Sequence, residues 1–160
     1  MKEDYIKEIG VHALAARFKR ISDQMIHSCR ALYKEIGLDI EPNWYLVFKL
    51  LEENQSLTTV EIAERLGFSH PTVVNMIQKM SERDYVVRGV SESDTRKKPL
   101  HLTPKAKKQL PYFKEVWQAG EAGISELLPP QSRMLEELAH MEACLKEQDF
   151  RQRTLANLKT

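Results

Sequence analysis

The chain has 160 residues and 18.6 kDa, with 24 basic and 23 acidic side chains and a formal net charge of +1. A hydrophobic content of 42% beside 29% charged residues excludes a disordered chain, and no apolar run reaches the eighteen or so residues of a helical membrane span. This length supports one domain, or one compact module with an oligomerisation extension. It can bury a core without a staple, and Cys29 and Cys144 make no disulfide framework. The charged start Met1-Lys2-Glu3-Asp4 has no signal-peptide apolar region, so the expected compartment is the cytoplasm. Near-neutral charge, taken over the whole chain, argues against a nucleic-acid partner.

The N-terminal third reads as one long helix. Val11, Leu14, Ala15, Phe18, Ile21, Met25, Ile26, Cys29, Leu32, Tyr33 and Ile36 follow a three-four spacing along one stripe, and Gly37 stops it. Pro42 then opens a shorter apolar helix from Trp44 to Glu53. In Leu57-Thr58-Thr59-Val60-Glu61-Ile62, Thr58 and Glu61 have capping-box spacing, with Leu57 and Ile62 at the ends of a hydrophobic staple. That helix ends at Gly67, and Ser69-His70-Pro71-Thr72 starts another, with Ser69 as cap and Pro71 in the first turn. Two short helices joined by a Gly-containing turn are a helix-turn-helix signature.

After it the period falls to two. Tyr85 to Val90 and Leu100 to Thr103 read as short strands joined by a polar, basic loop from Ser91 to Pro99. Pro104 begins a long helix with Phe113, Val116, Trp117, Gly120, Ile124, Leu127 and Leu128 as its apolar stripe. Pro129-Pro130 breaks it. Ser132 caps a final helix that carries Met134, Leu135, Leu138, Met141 and Leu145.

The charge is unevenly distributed. Residues 65 to 108 carry +6 and the remainder −5. A local basic surface is the footprint of phosphate binding, although an isolated basic stretch is equally a solvated face. The helix from Ser69 separates the two readings. Val73, Met76, Ile77 and Met80 share its apolar side, while Pro71, Thr72, Asn75, Gln78 and Lys79 lie opposite. Short hydroxyl and amide side chains suit base edges, and the helix N-terminus at Ser69 and His70 suits a phosphate oxygen. Lys79 and Arg83 are placed for phosphates. The loop with Asp94, Arg96, Lys97 and Lys98 can reach an adjacent minor groove, with Asp94 bracing Arg96 or capping its own turn; alone, the loop is also a plain charged hairpin.

The run Leu57 to Gly67, the helix Ser69 to Met80, Asp94-x-Arg96 and Leu100-x-Leu102-Thr103 resemble the multiple-antibiotic-resistance regulator (MarR) family. The chain departs from the family pattern at Asp84 and Ala106, where Gly is usual, and neither change removes a DNA-contacting group. The resemblance implies a mainly α fold with a small β-wing, a winged helix-turn-helix between long N- and C-terminal dimerisation helices. Residues 1–37 and 110–160 form the helical dimerisation region and 42–108 the winged helix-turn-helix in that reading. The implied function is a homodimeric repressor on a pseudo-palindromic double-stranded DNA operator, released by a small-molecule effector, an oxidant or a metal. The family's usual pocket lies between the dimer and DNA-binding regions, where His12, Arg17, Trp44 and Tyr45 are candidates.

Other residues carry less. Cys29 lies on the apolar stripe near Tyr33, which fits a buried structural cysteine as well as a redox sensor. His140 and Cys144 are spaced to share a metal, but no third ligand accompanies them, so no metal site and no cofactor are expected. No Gly-rich phosphate loop, G-x-S-x-G elbow or H-E-x-x-H occurs, so the chain does not read as an enzyme. A winged-helix protein–protein interaction module and a metal- or redox-responsive regulator are the alternatives. The DNA reading predicts that Asn75→Ala relaxes base preference.

Overall fold

A computed structural model describes residues 4–89 and 98–158. Eight helices and two short strands are present among the described residues, in the order α1 (Tyr5–Glu8), α2 (Leu14–Glu35), α3 (Trp44–Asn54), α4 (Thr59–Leu66), α5 (His70–Glu82), β1 (Val86–Arg88), β2 (Leu100–Leu102), α6 (Pro104–Glu126), α7 (Met134–Glu147) and α8 (Phe150–Leu158). They divide into two compact units, Met1–Lys114 and Glu115–Thr160.

The first unit corrects the expectation of one unbroken N-terminal helix. The helix proper begins at Leu14, after a 3-10 turn at Gly10–Ala13 and the separate turn α1. Gly10 adopts φ 61, a left-handed conformation that no α-helix contains, and Val11 is left 86% exposed. Val11 fits the helical period, so the stripe read from the sequence ran one turn too far. Arg20 of α2 donates to Asp4 at 3.0 Å, which ties the leading turn back to the helix and holds the Asp4 carboxyl below its ordinary value.

The caps fall where the residues dictate. The Glu61 amide donates to Thr58 Oγ1 at 3.2 Å, and the Thr58 amide donates to the Glu61 carboxylate at 2.7 Å, a complete capping box. Leu57 and Ile62, the two ends of the staple, are both buried. Leu57 has a second role that its sequence context does not announce. It pairs antiparallel with Leu100, accepting from the Leu100 amide at 2.8 Å and donating back at 3.4 Å. The segment before α4 therefore lies beside β2, on the side away from β1.

The wing strands pair Val86 with Leu102, Val87 with His101 and Arg88 with Leu100. Asp84 turns the chain from α5 into β1 at φ 58, the left-handed conformation that Asp tolerates better than most residues. Thr103 locks the return: its hydroxyl donates to the Asp84 carbonyl at 2.7 Å and accepts from the Ala106 amide at 3.1 Å. A Cβ at Gly89 would lie 2.6 Å from the His101 imidazole, so that ring would have to shift to admit a larger residue.

An aromatic cluster forms the centre of this unit. Phe48 meets Tyr85 and Phe113 edge-on, with centroids 5.6 and 5.5 Å apart, and Tyr85 also meets Trp44 and Phe113 at 5.9 Å. Edge-to-face geometry places the positive ring rim against a negative face, which adds to the burial of apolar area. One cluster therefore joins α3, the start of the wing and α6, and α5 packs on α4 beside it through Val73, Ile77 and Met80.

In the second unit, the single final helix expected after Ser132 is two helices. Ser132 Oγ accepts from the Met134 amide at 3.3 Å at the start of α7. Gln148 is extended and ends it. Asp149 and Gln152 then form a reciprocal cap, with the Gln152 amide donating to Asp149 at 2.7 Å and the Asp149 amide donating to Gln152 at 3.0 Å. The Asp-x-x-Gln spacing is a start signal readable in the sequence. Neither α7 nor α8 contains a buried residue, and Leu135, Phe150 and Leu158 are each at least 74% exposed.

Candidate nucleic-acid interface

The most ordered chemistry lies on α5. Ser69 is extended and caps the helix, accepting from the Thr72 amide at 3.3 Å and sharing a 2.7 Å hydroxyl contact with Thr72. Pro71 sits in the first turn, where its missing N–H leaves no helical bond unmade. Val73, Met76, Ile77 and Met80 are buried against the core. Burying that stripe turns the other side outward, so His70, Pro71, Thr72, Asn75, Gln78 and Lys79 are all exposed. The helix is thus fixed along one side and presents hydroxyl, amide and ammonium groups along the other.

Two details refine the outward face. Gln78 Nε2 donates to Glu82 at 3.0 Å, which engages its amide nitrogen along the helix and leaves its carbonyl oxygen as the acceptor of this side chain. Val74, 36% exposed, joins the outer face between Pro71 and Gln78. The sequence reading passed over Val74 because an apolar residue looks like core. Its place one turn after Pro71 and one turn before Gln78 was the available signal.

Arg83 is held elsewhere. Its guanidinium lies 3.1 Å from Asp39 and 3.5 Å from Glu41, and its Cζ is 5.0 Å from the Trp44 ring centroid. Lys98 is exposed at the base of the wing, whereas Asp94, Arg96 and Lys97 lie outside the described residues.

A cleft of about 630 Å³ lies between α2, the 41–44 segment and α5. Ile26, Arg30, Glu41 and Trp44 form one side of it, and Thr72, Asn75, Met76 and Lys79 the other. Of the four residues expected to line a pocket, Trp44 does so. His12 and Arg17 are exposed at the start of the first unit and do not line this cleft, and neither does Tyr45. Tyr45 follows Trp44 by one residue, a turn of about 100° around the helix, and its ring faces the Lys49 ammonium at 5.8 Å.

The MarR family model matches residues 38–97, the stretch from the loop before α3 through the helix-turn-helix into the wing. Over residues 38–97, the chain is similar to the MarR family. A curated relative, the HTH-type transcriptional regulator SarZ of Staphylococcus aureus (strain USA300), is 29% identical over 69 residues, which are 43% of this chain and 47% of SarZ. The aligned part therefore spans about half the length of that relative. Among solved structures, the transcriptional repressor CouR bound to a 23-mer DNA duplex is 28% identical, with TM-score 0.64 over 83% of this chain and 92% of CouR. The S. aureus MepR–DNA complex is 24% identical, with TM-score 0.63 over 84% of this chain and 94% of MepR, a likeness of fold. The architecture of this chain is the winged helix of the MarR proteins.

The remaining candidates are sparse. Cys144 Sγ lies 3.6 Å from His140 Nε2 on α7, and Cys29 is partly buried on α2. Among the described residues, no group of three or more His, Cys, Asp or Glu side chains is gathered for a metal ion. Also among them, no helix is long and apolar enough to cross a membrane.

Proposed function

We propose that the chain is a sequence-specific, double-stranded-DNA-binding transcriptional regulator rather than an enzyme, acting as a homodimeric repressor on a pseudo-palindromic operator. The observation that carries this reading is α5 itself. One side is anchored by Val73, Met76, Ile77 and Met80, and the other offers Thr72, Asn75 and Gln78 as a row of short polar groups beside Lys79. Those are the groups that read base edges in a major groove, with a cation placed for the flanking phosphate. Ser69 and the first amides of α5 would hold a second phosphate, and Lys98 with Arg96 and Lys97 of the wing would track the neighbouring groove. The DNA complexes of CouR and MepR support the same use of this fold.

A dimer would bring two copies of α5 into successive major grooves about 34 Å apart. The exposed apolar residues of α2 (Ile21, Met25, Leu32) and of α7 and α8 (Leu135, Leu145, Phe150) support such pairing, since a lone soluble chain rarely leaves so many large side chains in water. The first and last helical regions, 1–37 and 110–160, are the proposed dimerisation elements, and 42–108 the DNA-binding part. Release by a small ligand is the corresponding reading of the cleft beside α5. A chromosomal target implies a cytoplasmic location.

The test is selection of bound genomic fragments, then gel shift with the wild type and Asn75→Ala. The wild type is expected to shift selected fragments in preference to random duplex. The variant is expected to lose about 1–3 kcal/mol on the selected site and little on random DNA. Equal loss on both would remove Asn75 from base readout, and no selective shift by the wild type would overturn the function.

A further inference from the structure

Arg83 comes directly after the last turn of α5 and carries a positive charge on the basic side of the chain, where a phosphate contact would be the ordinary assignment. Its surroundings oppose that assignment. The guanidinium is engaged by Asp39 at 3.1 Å and Glu41 at 3.5 Å, and Trp44 lies under it at 5.0 Å. Glu41 in turn uses its second oxygen to accept from Arg30 Nε of α2 at 3.0 Å. Two arginines and two carboxylates leave this cluster without net charge, so it has little to offer a phosphate. Its connectivity is more informative. One carboxylate spans two segments far apart in sequence, joining the C-terminal third of α2 to the residue that ends α5.

The backbone at the same point is also held. Lys105 Nζ donates to the Arg83 carbonyl at 2.6 Å while its ammonium lies 4.3 Å from the Tyr85 ring. The C-terminal end of α5 is thus fixed by its last side chain toward α2 and by its last carbonyl toward α6. Among the described residues, the other end carries the Ser69 cap and the packing stripe. A helix that reads bases must hold its side chains to about half an ångström, and a tether at one end adds orientation control to what the buried stripe supplies.

We propose that Glu41, with Asp39 and Arg83, is a positioning device that sets the rotation of α5 relative to α2, and that Arg83 serves sequence preference without contacting DNA. This rests on the reading of α5 as the DNA-reading helix. Arg holds two carboxylates through its planar fork, which Lys cannot reproduce although it keeps the charge. Arg83→Lys therefore separates the two roles. A phosphate contact survives that change and a positioning fork does not.

The experiment compares wild type, Glu41→Gln, Arg83→Lys, Arg83→Ala and the Glu41→Gln/Arg83→Lys double variant. Three readouts are taken: affinity for the selected site, affinity for random duplex over a salt series, and amide exchange of Met80 to Arg83 without DNA. Each single variant is expected to lose about fivefold in the ratio of selected to random affinity, as two partly exposed ion pairs allow, with the random affinity and its salt slope preserved. The double variant is expected to lose no more than either single one, because both break one network. Exchange at the end of α5 should quicken in every variant. If Arg83→Lys keeps the ratio while Arg83→Ala lowers the salt slope by about one, Arg83 is a phosphate contact and the proposal is overturned. Unchanged exchange in Glu41→Gln overturns it even if no DNA is bound. Quickened exchange without any selective DNA binding by the wild type instead refutes the assignment of α5 and leaves the clamp standing.

Discussion

Phe48 lies within the aromatic cluster of the first unit. It is fully buried on α3 and meets Tyr85 and Phe113 edge-on at 5.6 and 5.5 Å. Removing its ring to Ala loses the burial of a Phe side chain, about 1.5–3 kcal/mol, together with two aromatic pairs at about 0.5–1.5 kcal/mol each. Those contributions add to roughly the 3–5 kcal/mol typical of Phe→Ala in a packed core. Phe48→Leu retains most of the apolar area and loses the ring pairs, so its cost should be about 1–3 kcal/mol. Urea unfolding monitored by tryptophan fluorescence reads both, since Trp44 lies 5.9 Å from Tyr85 in the same cluster. If Phe48→Ala costs less than about 1 kcal/mol, the cluster is not the core of this unit. If Leu costs as much as Ala, ring geometry outweighs burial, and the ranking of burial above the aromatic pairs is refuted.

Further expectations concern single residues. At Asp84, with φ 58, Ala should cost about 1 kcal/mol in urea unfolding while Gly is neutral or stabilising; equal midpoints for Ala and Gly would show that the left-handed turn imposes no strain. Burial pushes the Tyr85 phenol above its ordinary value, with the Asp39 carboxylate adding to the shift and Arg83 opposing it. Its contribution to stability is therefore intact below about pH 10 and lost as pH rises through the folded value, so Tyr85→Phe should flatten the alkaline limb of the stability profile. Asp149→Ala removes one half of the reciprocal cap on α8, and amide exchange across Phe150–Leu158 should report a loss of about 0.5–2 kcal/mol in local stability.

What the sequence made legible was local. The Thr58–Glu61 box, the Ser69 cap, the buried stripe of α5 and the left-handed Asp84 each depend on neighbours within a few residues, where spacing and geometry coincide. What escaped depends on long-range contact. No pattern near Arg83 announces Asp39 and Glu41, more than forty residues earlier. No periodicity shows Leu57 pairing with Leu100, or the cleft between α2 and α5. Two misses were of another kind. Gly10 and the Asp149–Gln152 pair were visible punctuation just outside the apolar stripes, at Val11 and after Leu145, and the sequence reading drew no boundary from them.

The cleft beside α5 has one wall made of Thr72, Asn75 and Lys79, and those same residues form the outward face of the helix. In the proposed reading, a molecule filling that space would touch side chains that also meet a base pair. The shared wall has a consequence for inheritance: a substitution at Asn75 that shifts preference for DNA also reshapes the cleft. If α5 reads DNA and the cleft takes a small ligand, as proposed, the two recognitions could not drift independently, and a new target sequence would bring a new set of tolerated small molecules with it.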